Sequence, residues 1–169
     1  MESSICVEVG VGFVLVGLDG SATSRAAFRE AVIEARWRGA ELLAVHVVGR
    51  PISLGDGFGS RVDLGLLQRA GERALSAALS GLEAEYGDGF PVPVSGMVRL
   101  GHVGAEIIAA AADAGGGSAE LVVLGSRGLG GFPGLLLGSV TSYAVHHLPC
   151  RLLIVPAVPE SDAEDAESG

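Results

Sequence analysis

Short apolar runs alternate with longer amphipathic segments along most of the chain. The apolar runs predict five strands: Val11–Gly17, Glu41–Val48, Pro91–Leu100, Glu120–Leu124 and Arg151–Pro156. Between them, apolar residues recur at intervals of three and four, which predicts four helices: Thr23–Arg38, a long one from Arg61 to near Gly87, Gly104–Ala114 and Gly138–His147. The predicted order is therefore β-α-β-α-β-α-β-α-β.

This strict alternation favours a parallel sheet with right-handed crossovers, that is, a doubly wound α/β fold with helices on both faces. Pro91 and Pro93 cannot donate hydrogen bonds to a ladder, so we expect the third strand at an edge of the sheet. In the strand order 3-2-1-4-5, Asp19 after the first strand and the loop at Gly125 after the fourth would meet in one crevice. On the first helix, Phe28 and Trp37 are expected to fill the core or a groove.

Composition excludes several classes of function. All 11 basic residues are arginine, so the lysine of a Walker loop or of a Schiff base is not available. The arginines are scattered, which argues against nucleic-acid binding. No apolar stretch approaches the length of a membrane-spanning helix and the start lacks a basic region, so we predict a cytoplasmic protein without a membrane segment.

The glycine-rich stretch from Gly125 into the last helix is the candidate for chemistry. Gly125, Gly128 and Gly138 let the backbone approach a ligand, and the free N–H groups at a helix start favour an anion. Ser139 and Thr141 add hydroxyl donors. The spacing is too long for a Walker loop, and the first strand is not followed by the G-x-G-x-x-G of a dinucleotide site. From these residues alone, the stretch is either an anion-binding loop or an ordinary connector.

At this point the sequence resembles the UspA-like universal stress protein family, in particular its ATP-binding subgroup. The signature of that subgroup is G-x2-G-x9-G-[ST], and Gly125, Gly128, Gly138 and Ser139 occupy every position of it. The stretches VGLDGSATSRAAFREA, AVHVV and ELVVLGSRGLGG look like the first strand and helix, the second strand and the fourth strand of the family. The resemblance covers about Phe13 to Val155 and implies a fold of the adenine-nucleotide alpha-hydrolase type.

The resemblance also implies a site. Asp19 would reach the adenosine end of a nucleotide, although it could instead cap the first helix, a role open to Ser21 as well. Val47 would line the adenine slot. The complete set of candidate contacts is Gly17, Leu18, Asp19, Val47, Gly125, Ser126, Arg127, Gly128, Gly138, Ser139, Val140 and Thr141. The implied ligand is ATP, with AMP or ADP as alternatives and a divalent cation such as Mg²⁺ held by the phosphates.

These observations predict a regulatory module that binds ATP without dedicated catalysis and acts through conformation or through a protein partner that the sequence does not identify. We expect three regions: an N-terminal extension (1–10), a universal stress protein domain (11–158) and a disordered acidic tail (159–169). The resemblance implies a homodimer through Arg151–Val155. Two alternatives stay open: a homodimeric interaction protein that binds no nucleotide, and a slow ATPase or nucleotide transferase.

Overall fold

Five parallel strands form one sheet, and four helices connect them. The computed structural model describes residues 12–49, 63–114, 117–129 and 136–156. In chain order the elements are β1 (Phe13–Gly17), α1 (Ala22–Arg38), β2 (Glu41–Gly49), α2 (Leu64–Glu83), β3 (Val94–Gly101), α3 (Val103–Ala112), β4 (Ala119–Gly125), α4 (Ser139–His147) and β5 (Arg151–Val155). All pairings are parallel and the order is β3-β2-β1-β4-β5. The predicted fold class, strand order and edge position of β3 are confirmed.

Some expectations fall on residues that the structure does not describe. These are the extension 1–10, the start of the long helix at Arg61, and the acidic tail 159–169. Residues 130–135 of the glycine-rich loop also lie outside the described ranges. Within those ranges, no helix has both the length and the apolar character that crossing a membrane requires.

Local hydrogen bonds fix where the first two helices begin and end. The Ser21 hydroxyl oxygen accepts from the Ser24 amide, so Ser21 rather than Asp19 caps α1. Gly39 ends α1 with a φ of 62°, a left-handed conformation that favours glycine. The Asp63 carboxylate caps α2. That helix ends at Glu83 rather than near Gly87, because the following residues form the tighter turns seen at helix ends.

Alternate residues of the central strand supply two separate cores. Val14 and Val16 of β1 face α1 and α2, whereas Phe13 and Leu15 face α3 and α4. Buried residues on both faces explain why the strands read as continuous apolar runs. On α1, Phe28 is fully buried as expected. The expectation for Trp37 is wrong, since its side chain is 87% exposed.

One glycine allows α2 to pack closely on the sheet. A Cβ atom at Gly71 would lie 2.7 Å from side-chain carbons of Val48 and Val98. Gly81, on the same helix, has nothing within 4 Å of the corresponding position. A Cβ atom would therefore be too close to the sheet at position 71 but has free space at position 81, although both glycines lie inside one helix.

We predict that Gly71→Ala lowers the free energy of unfolding by about 1–3 kcal/mol, because the added methyl overpacks the contact with β2 and β3. Gly81→Ala should raise it by roughly 0.5–1 kcal/mol, because alanine loses less conformational entropy in a helix. Urea denaturation of both variants measures the difference. Equal effects would show that α2 does not pack on the sheet at Gly71 as described.

Candidate functional site

The carboxyl ends of β1 and β4 lie side by side at the point where the winding of the sheet reverses. The chain leaves β1 for α1 on one face and leaves β4 for α4 on the other. Between the two connections is a cavity of about 370 Å³. Small-molecule sites usually measure roughly 300–1,000 Å³ and occur at such switch points, so this cavity is the candidate site.

One part of the cavity wall is apolar. It is formed by Val45 and Val47 of β2, Val103 and Ile107 of α3, and Leu124 of β4. The nearby Leu18 belongs to the same wall, and its carbonyl accepts a hydrogen bond of 2.7 Å from a ring N–H of His46. This part of the wall suits a flat, weakly polar group rather than a charged one.

The start of α4 forms a polar part of the wall. Gly138 is its N-cap residue and has no side chain to cap the helix. The Gly138 amide donates to the Ser126 carbonyl at 2.7 Å, and the first helical bond runs from Ser142 to Gly138. The amides of Ser139, Val140 and Thr141 therefore have no hydrogen-bond acceptor in the described part of the chain. The residues that carry these three amides line the cavity, and the positive end of the helix dipole lies at the same place.

Arg127 lies on the same wall. Its Nε atom is buried and finds no hydrogen-bond partner among the described residues. A buried donor without an acceptor costs about 1–3 kcal/mol. The guanidinium group also presents donors in a geometry that matches phosphate or carboxylate.

Asp19 connects the two sides of the crevice. One carboxylate oxygen accepts from the Ser21 amide at 2.9 Å, and the other accepts from the Leu129 amide at 3.0 Å. Burial alone would raise the pKa of Asp19, but hydrogen bonds from Ser21, Ser24 and Leu129 outweigh it and hold that pKa below its usual value. The group is therefore an ionised acceptor at neutral pH.

The three glycines of the loop differ in what surrounds them. A Cβ at Gly125 would lie 2.7 Å from the Thr23 methyl, and one at Gly128 would lie 2.5 Å from an Asp19 carboxylate oxygen. A side chain at either position would therefore require Thr23 or Asp19 to move. At Gly138, φ is −74° and the nearest atom to a Cβ would be at 3.4 Å, an ordinary contact. Nothing in the described chain requires glycine at position 138.

A sequence model of the universal stress protein family matches residues 13–156. This chain belongs to the universal stress protein family. The match includes every described strand and helix, and it confirms the family that the glycine signature predicts.

Several universal stress proteins are similar to this one. One from Mycobacterium tuberculosis is 38% identical over 139 residues, which is 79% of this chain and 41% of the relative. One from Thermus aquaticus is 34% identical over 144 residues, 84% of this chain and 96% of the relative. This chain thus spans less than half the length of the mycobacterial relatives that it matches. A solved universal stress protein in complex with cAMP has a TM-score of 0.60 and 26% identity, covering 85% of this chain and 96% of that one.

The cavity of this universal stress protein contains all of the predicted site residues except Ser126. Those that line it are Gly17, Leu18, Asp19, Val47, Gly125, Arg127, Gly128, Gly138, Ser139, Val140 and Thr141. Ser126 is 7% exposed and is not part of the wall, and its backbone is hydrogen-bonded to Val155 and Gly138. The Thr141 hydroxyl also differs from expectation: it donates to the Gly125 carbonyl at 2.8 Å and is not a free donor.

Most residues of the apolar wall were not predicted from the sequence. The residues concerned are Val45, Val103, Ile107, Leu124, Leu129 and Leu137, together with the small polar Ser24. A signal existed for Val45, which is two residues from Val47 and so on the same face of β2. Val103 and Ile107 are four residues apart and share a face of α3, although no motif links that helix to the glycine loop.

Proposed function

We propose that the cavity binds an adenine nucleotide, ATP in the first instance, with its phosphates at the start of α4. The observation that carries this proposal is that Arg127 and the α4 residues whose amides lack acceptors in the described part of the chain line one wall of the cavity. Donors arranged in this way favour an anion, and phosphate groups commonly bind at helix N-termini. The family member in complex with cAMP supports an adenine nucleotide as the ligand class.

Gly138 supports the same position for the phosphate. A side chain would fit there as far as the described chain is concerned, since the closest neighbour of a Cβ lies at 3.4 Å. A phosphate against the helix start would fill that space, because the backbone must come close to its oxygens. The glycine at this position is thus explained by a ligand rather than by packing.

The apolar wall accommodates the base. Val45, Val47, Val103 and Ile107 are aliphatic and line the cavity, so an adenine ring can bury its faces against them. AMP and ADP are alternatives to ATP, because they share the adenosine and the first phosphate. The ligands differ only in how far the phosphates extend along the start of α4.

We expect a divalent cation such as Mg²⁺ to be held by the phosphate oxygens. Among the described residues, no group of three or more His, Cys, Asp or Glu side chains is placed to hold a metal ion. Asp19 is the one carboxylate on the described cavity wall, and both of its oxygens already accept backbone hydrogen bonds. Mg²⁺ is commonly bound through substrate phosphates and water, which this arrangement permits.

We propose a regulatory rather than a catalytic role, exerted in the cytoplasm through conformation or a protein partner. Hydrolysis of ATP requires a group that orients the attacking water, and the described wall offers only the engaged Asp19. A slow ATPase or nucleotide transferase is therefore the weaker alternative. An interaction protein with an empty cavity would leave the amides at the start of α4 without acceptors in the described part of the chain.

We further propose that the protein is a homodimer through β5. This strand ends the described sheet, and Leu152, Leu153 and Ile154 are only half-buried. An apolar edge strand without a partner promotes association with another strand. Pairing of two copies of β5 would cover both edges with one symmetric contact.

The nucleotide proposal predicts that Gly138→Val and Ser139→Ala weaken ATP binding while the fold is kept. The valine would occupy the space of the phosphate, and the alanine would remove a hydrogen bond to a charged group, worth about 1.5–3 kcal/mol or roughly 10- to 150-fold in affinity. Titration calorimetry with ATP and AMP measures the effect, and circular dichroism checks the fold. The distant Gly81→Ala serves as the matched control. If both folded variants bind as tightly as the parent, the loop is only a connector.

The dimer proposal predicts that Ile154→Lys gives a folded monomer, because a lysine on an edge strand opposes pairing with a second chain. Ser95→Lys on the opposite edge strand β3 is the control and should leave the dimer intact. Light scattering at micromolar concentration reports the mass of each. A monomeric parent, or loss of the dimer in the β3 variant alone, would show that β5 is not the interface.

A further inference from the structure

The Asp19 carboxylate joins two segments that are far apart in the sequence. Its two oxygens accept one backbone N–H from the β1–α1 connection and one from Leu129, 110 residues away. Ser21 supplies the first of these donors. The carboxylate thus fastens the start of the glycine-rich loop to the end of β1.

Gly128 lies where the loop comes close to this carboxylate. A Cβ at position 128 would lie 2.5 Å from the Asp19 oxygen that accepts from Leu129. At a distance this short, a side chain at position 128 would require the Asp19 carboxylate to move. The glycine therefore serves the contact with Asp19, and the loop can lie on the carboxylate only because this residue is small.

Arg127 lies between two residues of the loop, Ser126 and Leu129, whose backbones are held by hydrogen bonds. On one side, the Ser126 amide donates to the Val155 carbonyl and the Ser126 carbonyl accepts from Gly138, both at 2.7 Å. On the other side, Leu129 is held by Asp19 at 3.0 Å. The position of the guanidinium group relative to the start of α4 thus depends on the hydrogen bonds of both residues.

We propose that Asp19 is a positioning residue: it latches the Gly128–Leu129 segment onto β1 and so holds Arg127 beside the start of α4, rather than contacting the adenosine. This inference rests on the proposed nucleotide site and concerns its phosphate end. It differs from the role that the family resemblance implies for Asp19. The low pKa of the carboxylate agrees with a group that serves as a hydrogen-bond acceptor in the ligand-free protein.

The test compares adenosine with AMP in the parent and in Asp19→Asn and Asp19→Ala. Adenosine lacks the phosphate, so the ratio of the two dissociation constants isolates the contribution of the phosphate end. We expect the dissociation constant for adenosine to change by less than about twofold in both variants. The ratio of the adenosine to the AMP dissociation constant should fall about tenfold, the effect of one hydrogen bond to a charged group. Val32→Ala, which removes buried volume from α1 away from the cavity wall, is the control for general destabilisation and should keep the ratio.

A second measurement reports on the latch without any ligand. Hydrogen exchange at the Leu129 amide should accelerate at least about tenfold in both Asp19 variants, because its acceptor is lost or impaired, and should be unchanged in Val32→Ala. Equal losses of adenosine and AMP affinity, with slow exchange at Leu129, would overturn the proposal and make Asp19 a contact to the nucleoside. If the parent binds no AMP, the proposed function fails and the phosphate role of Asp19 with it. In that case the hydrogen-exchange rate of the Leu129 amide still shows whether Asp19 holds this segment.

Discussion

The reversal of winding between β1 and β4 is the constraint on which the remaining structure depends. Two neighbouring parallel strands whose connections leave toward opposite faces cannot cover the space between their carboxyl ends. In this chain the space is a cavity of about 370 Å³. The α4 amides and Arg127 border it and have no acceptors in the described part of the chain. The topology thus creates the cavity, and the local sequence determines which ligand suits it.

Hydrogen bonds of the protein itself hold the rim of this cavity in place. Asp19 holds Leu129, the Thr141 hydroxyl holds the Gly125 carbonyl, and Gly138 donates to Ser126. These bonds exist without a ligand, so less conformational entropy remains to be lost when a nucleotide binds. Close contacts within the chain, with Thr23 and with Asp19, account for the glycines at positions 125 and 128. At Gly138 no such contact exists in the described chain, and we propose that its small size leaves room for the ligand.

The fold could be predicted because parallel strands buried on both faces are apolar throughout and alternate with amphipathic helices. The exposure of Trp37 was also predictable, since nine residues at about 100° each place it opposite the buried Phe28 on α1. Ser126 was predicted because it lies within the glycine signature, and a signature does not show which of its residues line a cavity. The apolar wall was missed because β2, α3 and β4 supply it from distant parts of the sequence, and only tertiary packing brings them together.

We propose above all that the start of α4 binds the phosphate of an adenine nucleotide. The most direct measurement is a nitrogen-15 NMR titration of the ligand-free protein with AMP, followed in parallel with adenosine. We expect the amide signals of Ser139, Val140 and Thr141 to shift strongly with AMP and little with adenosine, while those of Val45 and Val47 shift with both. If saturating AMP leaves the three α4 amide signals unmoved, the phosphate does not bind at the start of α4.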